Sequence, residues 1–552
     1  MTSQLSGDFR LLTTEVLQAT TECYDLLVKR NPSKSLTLFH RVAYITTQVA
    51  LLQKMAMDQA LSKPTGHSES LYLQGLSSVA SRLERISDLL LNLDRQADFL
   101  SNVSVLTPYN LDDFFQQIFF GLEKIHPALL QRDVNLAIQL GQAEEKLDAY
   151  YADRFERLIK EFKGPSSAED LVTVIMIVHY LERIGDMLLE IGEKIIYIIM
   201  GEKIKLEQYK ALGQGLKATG GLTLEPARLD FRSIWGGRSG CRIGVVGNLD
   251  DSSRPDQTVL FKHGPASKLT REWKNLSLWA SLRPGLTPQV KAFIPAEAGN
   301  EAALMLEFIP NRTLQALFLE SNTDTALSGL KMAFQTMIGL WRETKSETTA
   351  KADFCLQAQE RLSEATALYP GLIKHQGIVG SWRLRSISEV LYEAKEVEET
   401  LVSPFKARIH GDFNLSNLLF DPDNGRLSFV DLYRSREADY IQDVSVMLVS
   451  IIRLPVVNSQ ARNRLSLAAK AGESIARKFA QQMNDETFDA RLAFGLARSF
   501  LTSIRFVLEE RLASQLVART RYLLERLIAH HRAQKSWADF NFSTDIFDIL
   551  FD

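Results

Sequence analysis

The sequence predicts a multidomain protein: an all-α module built as a pair of three-helix bundles, followed by a bilobal α+β module. Three observations predict it. All six tryptophans lie between Trp235 and Trp537, so the first 234 residues differ in composition from the rest. Within those residues, apolar side chains recur at i, i+3, i+4 and i+7 between prolines at 32, 64, 108, 127 and 165. An internal repeat, offset by 98 residues, aligns SRLERISDLLLNL (81–93) with HYLERIGDMLLEI (179–191) and shares Leu-Glu-Arg-Ile-x-Asp.

The periodicity predicts six helices, at about 6–30, 35–60, 67–99, 109–131, 134–163 and 167–201. They fill a helical domain over 1–210. The glycine-rich run GQGLKATGG (213–221) suits a flexible linker, set at 211–221. Beyond it, LDFRSIW, RIGVVGN, TVLFKHG, QVKAFI and ALMLEFI have strand length and β-branched content, giving a first lobe at about 222–310. The chain from about 311 to 552 is mainly helical, with two short strand-like runs, FKARIH and RLSFVD.

Composition narrows the classes. The 552 residues allow three or four average domains or two large ones. Lys and Arg number 64 against 67 Asp and Glu, a net charge of −3, so a strongly basic nucleic-acid binder is excluded and no nucleic-acid partner is expected. Cys23, Cys241 and Cys355 are far apart, with no CxxC motif, which argues against a disulfide scaffold and for a reducing compartment. The start MTSQLSGDFR lacks the pattern of a secretory leader, and the longest apolar stretch, Leu171 to Val178, is too short to span a bilayer. No transmembrane segment and a cytoplasmic location are expected.

The helical module carries paired carboxylates. Glu84 and Asp88, Glu144 and Asp148, and Glu182 and Asp186 are each four residues apart, so each pair projects from one helix face. Such pairs either form solvated faces and salt bridges, here with Arg85 and Arg183, or converge to hold a cation. The repeat and these motifs resemble the PhoU family of phosphate-signalling proteins over about residues 8–205. The resemblance implies two three-helix bundles and a site for iron or another divalent metal on Glu144, Asp148, Glu182 and Asp186, with Glu84 and Asp88 in the first repeat. It also implies a phosphate-signalling protein partner or self-association. The first repeat departs from the pattern, because the positions 98 residues before Glu144 and Asp148 are Thr46 and Ala50.

The second module carries RIHGDFNLSNLLFDPDNGRLSFVDLY (408–433). Phosphoryl transfer needs a carboxylate to position the acceptor hydroxyl and oxygen ligands for Mg²⁺ on the nucleotide phosphates. Asp412 suits the first role, Asn417 and Asp431 the second. HGDFNLSN, followed 14 residues later by Asp431 after an apolar run, resembles the aminoglycoside phosphotransferase and choline kinase group, which has a protein-kinase-like fold. The resemblance implies ATP and Mg²⁺ as cofactors, Asp412 as catalytic base, and Asn417 and Asp431 as Mg²⁺ ligands. It puts Lys262 on the nucleotide phosphates with Glu272 as its partner, and Glu307 and Ile309 of MLEFIPNRTL in the adenine-binding hinge. Gly236, Gly237 and Gly240 would let backbone approach the phosphates, or form an ordinary hairpin turn. His410 is expected to support the loop and Asp443 to brace it, while Ala438 stands where the family often has Gly before its Asp, here Asp439. No Ala-Pro-Glu follows Asp431, which disfavours protein substrates.

The tail DFNFSTDIFDILFD (539–552) suits either a wall of the acceptor pocket or an amphipathic helix packed on the lobe. The expected function is an ATP- and Mg²⁺-dependent phosphotransferase acting on a hydroxyl of a small molecule, linked to phosphate regulation by the helical module. The alternative is a non-catalytic phosphate-signalling adaptor whose kinase-like lobe only binds nucleotide. Antibiotic resistance is a third reading, against which the fused regulatory module argues.

Overall fold

The computed structural model describes residues 3–62, 67–164, 167–201, 204–219, 230–234, 241–247, 258–295, 300–320, 323–351, 353–374, 377–379, 382–454, 459–507 and 509–548. The chain divides into two compact units. One comprises Met1–Gly264 and Ala292–Met305, the other Pro265–Lys291 and Leu306–Asp552.

The first unit opens with the six expected helices: α1 (Ser3–Leu27), α2 (Lys34–Ser62), α3 (His67–Ala97), α4 (Asp112–Gln131), α5 (Val134–Glu161) and α6 (Ala168–Met200). α1, α2 and α3 pack together, as do α4, α5 and α6, and α3 and α6, the repeat-bearing helices, pack on each other. Their ends follow capping rules. Asp133 accepts from the Asn135 and Leu136 amides at the start of α5, Ser167 accepts from the Asp170 amide at the start of α6, and Gly201 closes α6 at φ 77°. α5 and α6 approach closely because Gly192 faces the Ala137 carbonyl, where a Cβ would sit 2.7 Å from that oxygen.

Residues 211–218, expected to be linker, are helical. α7 (Leu206–Ala218) buries Leu206, Tyr209, Leu212 and Leu216, a helical stripe that overrides the local glycine content. Its glycines serve packing: Gly215 faces Met305, and an added Cβ would lie 2.9 Å from that side chain. Gly221, the end of the expected linker, lies outside the described residues.

All five strands expected after the helical domain are present: β1 (Asp230–Ile234), β2 (Arg242–Gly247), β3 (Val259–Pro265), β4 (Val290–Ile294) and β5 (Glu301–Glu307). They form one sheet in the order β1-β2-β3-β5-β4, with β2 antiparallel to β1 and β3. Val246, Val259, Phe261, Ala303 and Met305 share one apolar core with α1–α7. The first unit thus takes in these strands together with the helices, because they share one apolar core.

The second unit contains α8 (Ala266–Leu282), β6 (Arg312–Thr313), α9 (Leu314–Leu319), α10 (Thr323–Glu343), α11 (Phe354–Leu368), α12 (Pro370–Lys374), β7 (Gly377–Val379), β8 (Trp382–Leu384) and α13 (Ile387–Glu398). β9 (Ala407–Ile409), β10 (Leu418–Asp421), β11 (Arg426–Phe429) and β12 (Arg436–Ala438) follow, then α14 (Ile441–Ile452), α15 (Ser459–Gln482), α16 (Phe488–Ser503) and α17 (Glu510–Arg532). β9 and β11 match the expected FKARIH and RLSFVD runs. The sheets are small: β11-β10-β6, β12-β9 and β7-β8. The described part of the tail is not one amphipathic helix. It has two short 3-10 turns, Trp537–Asp539 and Thr544–Phe547; the second buries Ile546 and Phe547, and Phe540 and Phe542 between the turns are also buried. Lys470 holds Asp548 at 2.7 Å.

Candidate functional site

The loop 410–417 connects β9 to β10, and Asp431 follows β11 directly. Antiparallel pairing sets Leu418 opposite Phe429, so the ends of loop and strand must meet. The Val430 amide donates to the Asn417 carbonyl at 3.0 Å. The Asn417 side-chain amide donates to the Asp412 carbonyl at 3.0 Å. Hydrogen bonds thus bring Asp412, Asn417 and the segment bearing Asp431 together, as their spacing in the sequence suggested. With its NH₂ spent on that bond, Asn417 keeps its side-chain oxygen as the group suited to a hard cation. Asp431 has φ 64° and ψ 51°, a left-handed conformation uncommon for a non-glycine residue and typical of sites held against local strain.

Asp412 is partly exposed. Its Oδ1 accepts from Asn414 Nδ2 at 3.2 Å, and Arg434 Nη1 stands 3.9 Å from its Oδ2. The loop is braced from below by Asp443 on α14. Its fully buried carboxylate accepts the amides of His410 and Gly411, both at 2.8 Å. Burial pushes the Asp443 carboxyl up to about 7, against the pull of those two amides. Gly411 has φ 82°, and a Cβ there would meet the Arg434 carbonyl oxygen at 2.3 Å, so no other residue fits without moving backbone.

His410 is fully buried, packed against the rings of Trp279, Phe413 and Phe429. Its Nδ1 accepts from the Asp412 amide at 3.3 Å. Burial lowers its pKa, against the opposing charges of Asp412 and Asp431. The ring is turned inward, where it supports the loop through the Asp412 amide.

Further residues, not apparent from the sequence, fix this region. Asn275 donates to the carbonyls of Leu432 and Ser435 at 2.7 and 3.0 Å, and Trp279 donates to the Ser435 hydroxyl at 2.8 Å. With buried Glu272 they follow an i, i+3, i+7 pattern on α8, the signal that could have found them. Gln442 holds the Gly411 carbonyl at 3.0 Å. Arg491, buried on α16, pairs with buried Asp439 and Asp485.

Lys262 lies buried on β3 in the first unit, opposite Ile243 of β2, and Glu272 lies buried on α8 in the second. Gly236, Gly237 and Gly240 lie outside the described residues. The Glu307 amide donates to the Gln289 carbonyl at 2.8 Å, and Ile309 is half-buried just beyond β5.

A cavity of about 1020 Å³ opens on Asp412 within the second unit. Its walls come from α8, the 433–439 segment, α11 and the C-terminal end of α16, and Asn417 and Asp431 do not line it. Neither do tail residues 539–548.

In the helical module, Glu144, Asp148, Glu182 and Asp186 face one another across α5 and α6. Burial, then the charges of Asp148, Asp186, Glu145 and Glu182, pushes the Glu144 carboxyl up to about 7. Among the described residues, however, no group of three or more ligating side chains is arranged to hold a metal ion. The expected metal set is not assembled there. Asp186 turns to Arg183 at 2.6 Å, Glu182 to His179 at 3.1 Å, and in the first repeat Asp88 to Arg85 at 3.8 Å. The salt bridges expected between helices through Arg85 and Arg183 are instead i,i+3 pairs within one helix. Among the described residues, no helix is long and apolar enough to cross a membrane.

Comparison with known proteins agrees with this division. The family model of the PhoU domain matches residues 121–195, and that of the phosphotransferase enzyme family matches residues 321–477. The chain is 25% identical over 206 residues to phosphate-specific transport system accessory protein PhoU homolog 1 of Methanothermobacter thermautotrophicus, covering 36% of this chain and 93% of that protein. It is 29% identical over 138 residues to PhoU homolog 1 of Thermotoga maritima, covering 24% of this chain and 59% of that protein. Among solved structures, PhoU from Streptococcus pneumoniae aligns at 19% identity and TM-score 0.33, over 37% of this chain and 96% of that one. Aminoglycoside phosphotransferase APH(3'')-Id from Streptomyces rimosus aligns at 19% identity and TM-score 0.33, over 53% of this chain and 98% of that one. The chain thus carries a match to the PhoU domain within its helical module and a match to the phosphotransferase enzyme family within its second module.

Proposed function

We propose that the protein is an ATP- and Mg²⁺-dependent phosphotransferase acting on a hydroxyl of a small molecule. The observation that carries this reading is the hydrogen-bonded set of Asp412, Asn417 and the Asp431 segment, with Asp412 facing a cavity of about 1020 Å³. Asp412 orients the acceptor hydroxyl and accepts its proton as the oxygen attacks the γ-phosphoryl group. Asn417 and Asp431 supply oxygens of the kind Mg²⁺ takes, and bound there the ion would neutralise charge on the nucleotide phosphates. With the Glu307 amide already engaged, the Glu307 carbonyl and the Ile309 amide are assigned to the adenine. The helical module is assigned a regulatory role tied to phosphate, through a protein partner or self-association, by its likeness to phosphate transport accessory proteins.

Replacing Asp412 with Asn tests the assignment. Acceptor-dependent ADP release should fall by at least about 10³-fold while nucleotide binding and folding persist. Unchanged turnover would refute the role given to Asp412. Nucleotide binding without ADP release for any acceptor would favour the adaptor reading instead.

A further inference from the structure

The cavity beside Asp412 is cationic. Nine of its lining residues are Lys or Arg and five are Asp or Glu. Two of the five acids already have cationic partners elsewhere: Asp439 is held by buried Arg491, and Glu437 pairs with Arg408 at 3.2 Å. A third, Asp412, is the proposed base. Two of the cations, Arg361 and Arg505, likewise share an acid outside the cavity, Glu364, so the basic excess stands as counted.

Their arrangement is directional. Arg498, Thr502 and Arg505 follow an i, i+4, i+7 pattern at the end of α16 and the turn after it, so one helical stripe faces the cavity. Arg498 has its Nε and Nη2 buried with no hydrogen-bond partner among the described residues. Arg505 spends one terminal nitrogen on Glu364, while its Nε is likewise buried and without a partner. Arg434 completes the set next to Asp412. A buried guanidinium stays charged at neutral pH and is costly without an anion or acceptors. Burial, reinforced by Arg434 and Arg436 against the opposing charge of Asp412, pulls the Arg498 pKa down to about 10, still far above neutrality.

Position separates this charge from the proposed Mg²⁺ ligands. The cavity contains Asp412 but neither Asn417 nor Asp431, so its charge is set beside the proposed base, as an acceptor's partner would be. A pocket for a polyamine or aminoglycoside would need the opposite sign. Resting on the phosphotransferase reading, we propose that the acceptor is a hydroxyl compound already bearing an anionic group, a phosphate or a carboxylate, received by Arg498 and Arg505 while its hydroxyl faces Asp412. A guanidinium fork matches both anions bidentately.

The test uses the full chain and a matched series: glycerol, glycerate and glycerol 3-phosphate; glucose, gluconate and glucose 6-phosphate; and kanamycin as a cationic control. Binding of Mg²⁺ with a non-hydrolysable ATP analogue is titrated first, then each compound is titrated with the nucleotide saturating. Anionic members should bind at least roughly 10-fold tighter than their neutral counterparts. Arg498→Gln should erase that preference, Arg505→Gln should reduce it, and Arg498→Lys should restore part of it. Nucleotide affinity, measured in each variant, serves as the folding control. The phosphate and carboxylate arms show which anion is preferred. Equal binding across each trio, binding by the neutral or cationic members alone, or no binding by any member overturns the proposal. Failure of the nucleotide titration would instead strike the phosphotransferase reading, whatever the series shows.

Discussion

At the scale of single residues, the loop 410–417 is held in a backbone conformation that few alternatives satisfy. Gly411→Ala adds a Cβ 2.3 Å from the Arg434 carbonyl at a φ of 82°. Left-handed strain alone costs roughly 1–3 kcal/mol, and the shift needed to relieve the clash moves Asp412. We expect ADP release to fall about 100-fold. Asp443→Ala leaves the amides of His410 and Gly411 buried without an acceptor, at roughly 1–3 kcal/mol each. Tryptophan fluorescence during urea unfolding measures the loss, because the first 234 residues carry no tryptophan. An unchanged midpoint would show that the brace is dispensable. These residues were legible in the sequence because HGDFNLSN and FVD join chemically distinct groups at fixed spacing. Asn275 and Arg491 were not, since a lone polar residue on an amphipathic helix looks the same whether it meets solvent or a backbone carbonyl.

At the scale of elements, charge buried between helices divides the two modules. Arg491 on α16 neutralises Asp439 and Asp485, all three buried, so Arg491→Leu should destabilise the second unit by roughly 3–5 kcal/mol, read from the same fluorescence transition. α5 and α6 do the reverse, setting Glu144 among Asp148, Asp186, Glu145 and Glu182, with Arg183 the cation beside Glu182. A carboxyl whose folded pKa stands near 7, above its unfolded value near 4.3, binds more protons folded than unfolded. Its contribution is therefore fully favourable below pH 4 and is lost as pH rises through 7. With chelator present, Glu144→Gln should raise the melting temperature of the helical module by about 2 °C at pH 8, a figure reduced for solvent screening, and leave it unchanged at pH 4. The helices and long strands were legible from apolar period. α7 was not, because its glycines suggested a linker while its Leu-Tyr-Leu-Leu stripe packs as a helix. β6, β7, β8, β10 and β12, of two to four residues, are too short to show a period; β9 and β11, equally short, are legible only through the longer runs FKARIH and RLSFVD around them.

At the scale of the whole molecule, two kinds of information combine. The proposed catalytic set of Asp412, Asn417 and Asp431 is contained in one short stretch of chain, where spacing in the sequence suggests it. The cavity is assembled from positions as distant as Lys274, Lys406, Arg434 and Arg505, and only folding brings their charges together. In the proposed reaction, Mg²⁺-dependent nucleotide use would link the set. The most direct test is calorimetric titration of ATP into the intact chain and an Asp431→Asn variant, with and without Mg²⁺. Binding that requires Mg²⁺ in the intact chain and weakens at least about 10-fold in the variant is the predicted result. No binding in the intact chain, or binding indifferent to both Mg²⁺ and Asp431, would contradict the account.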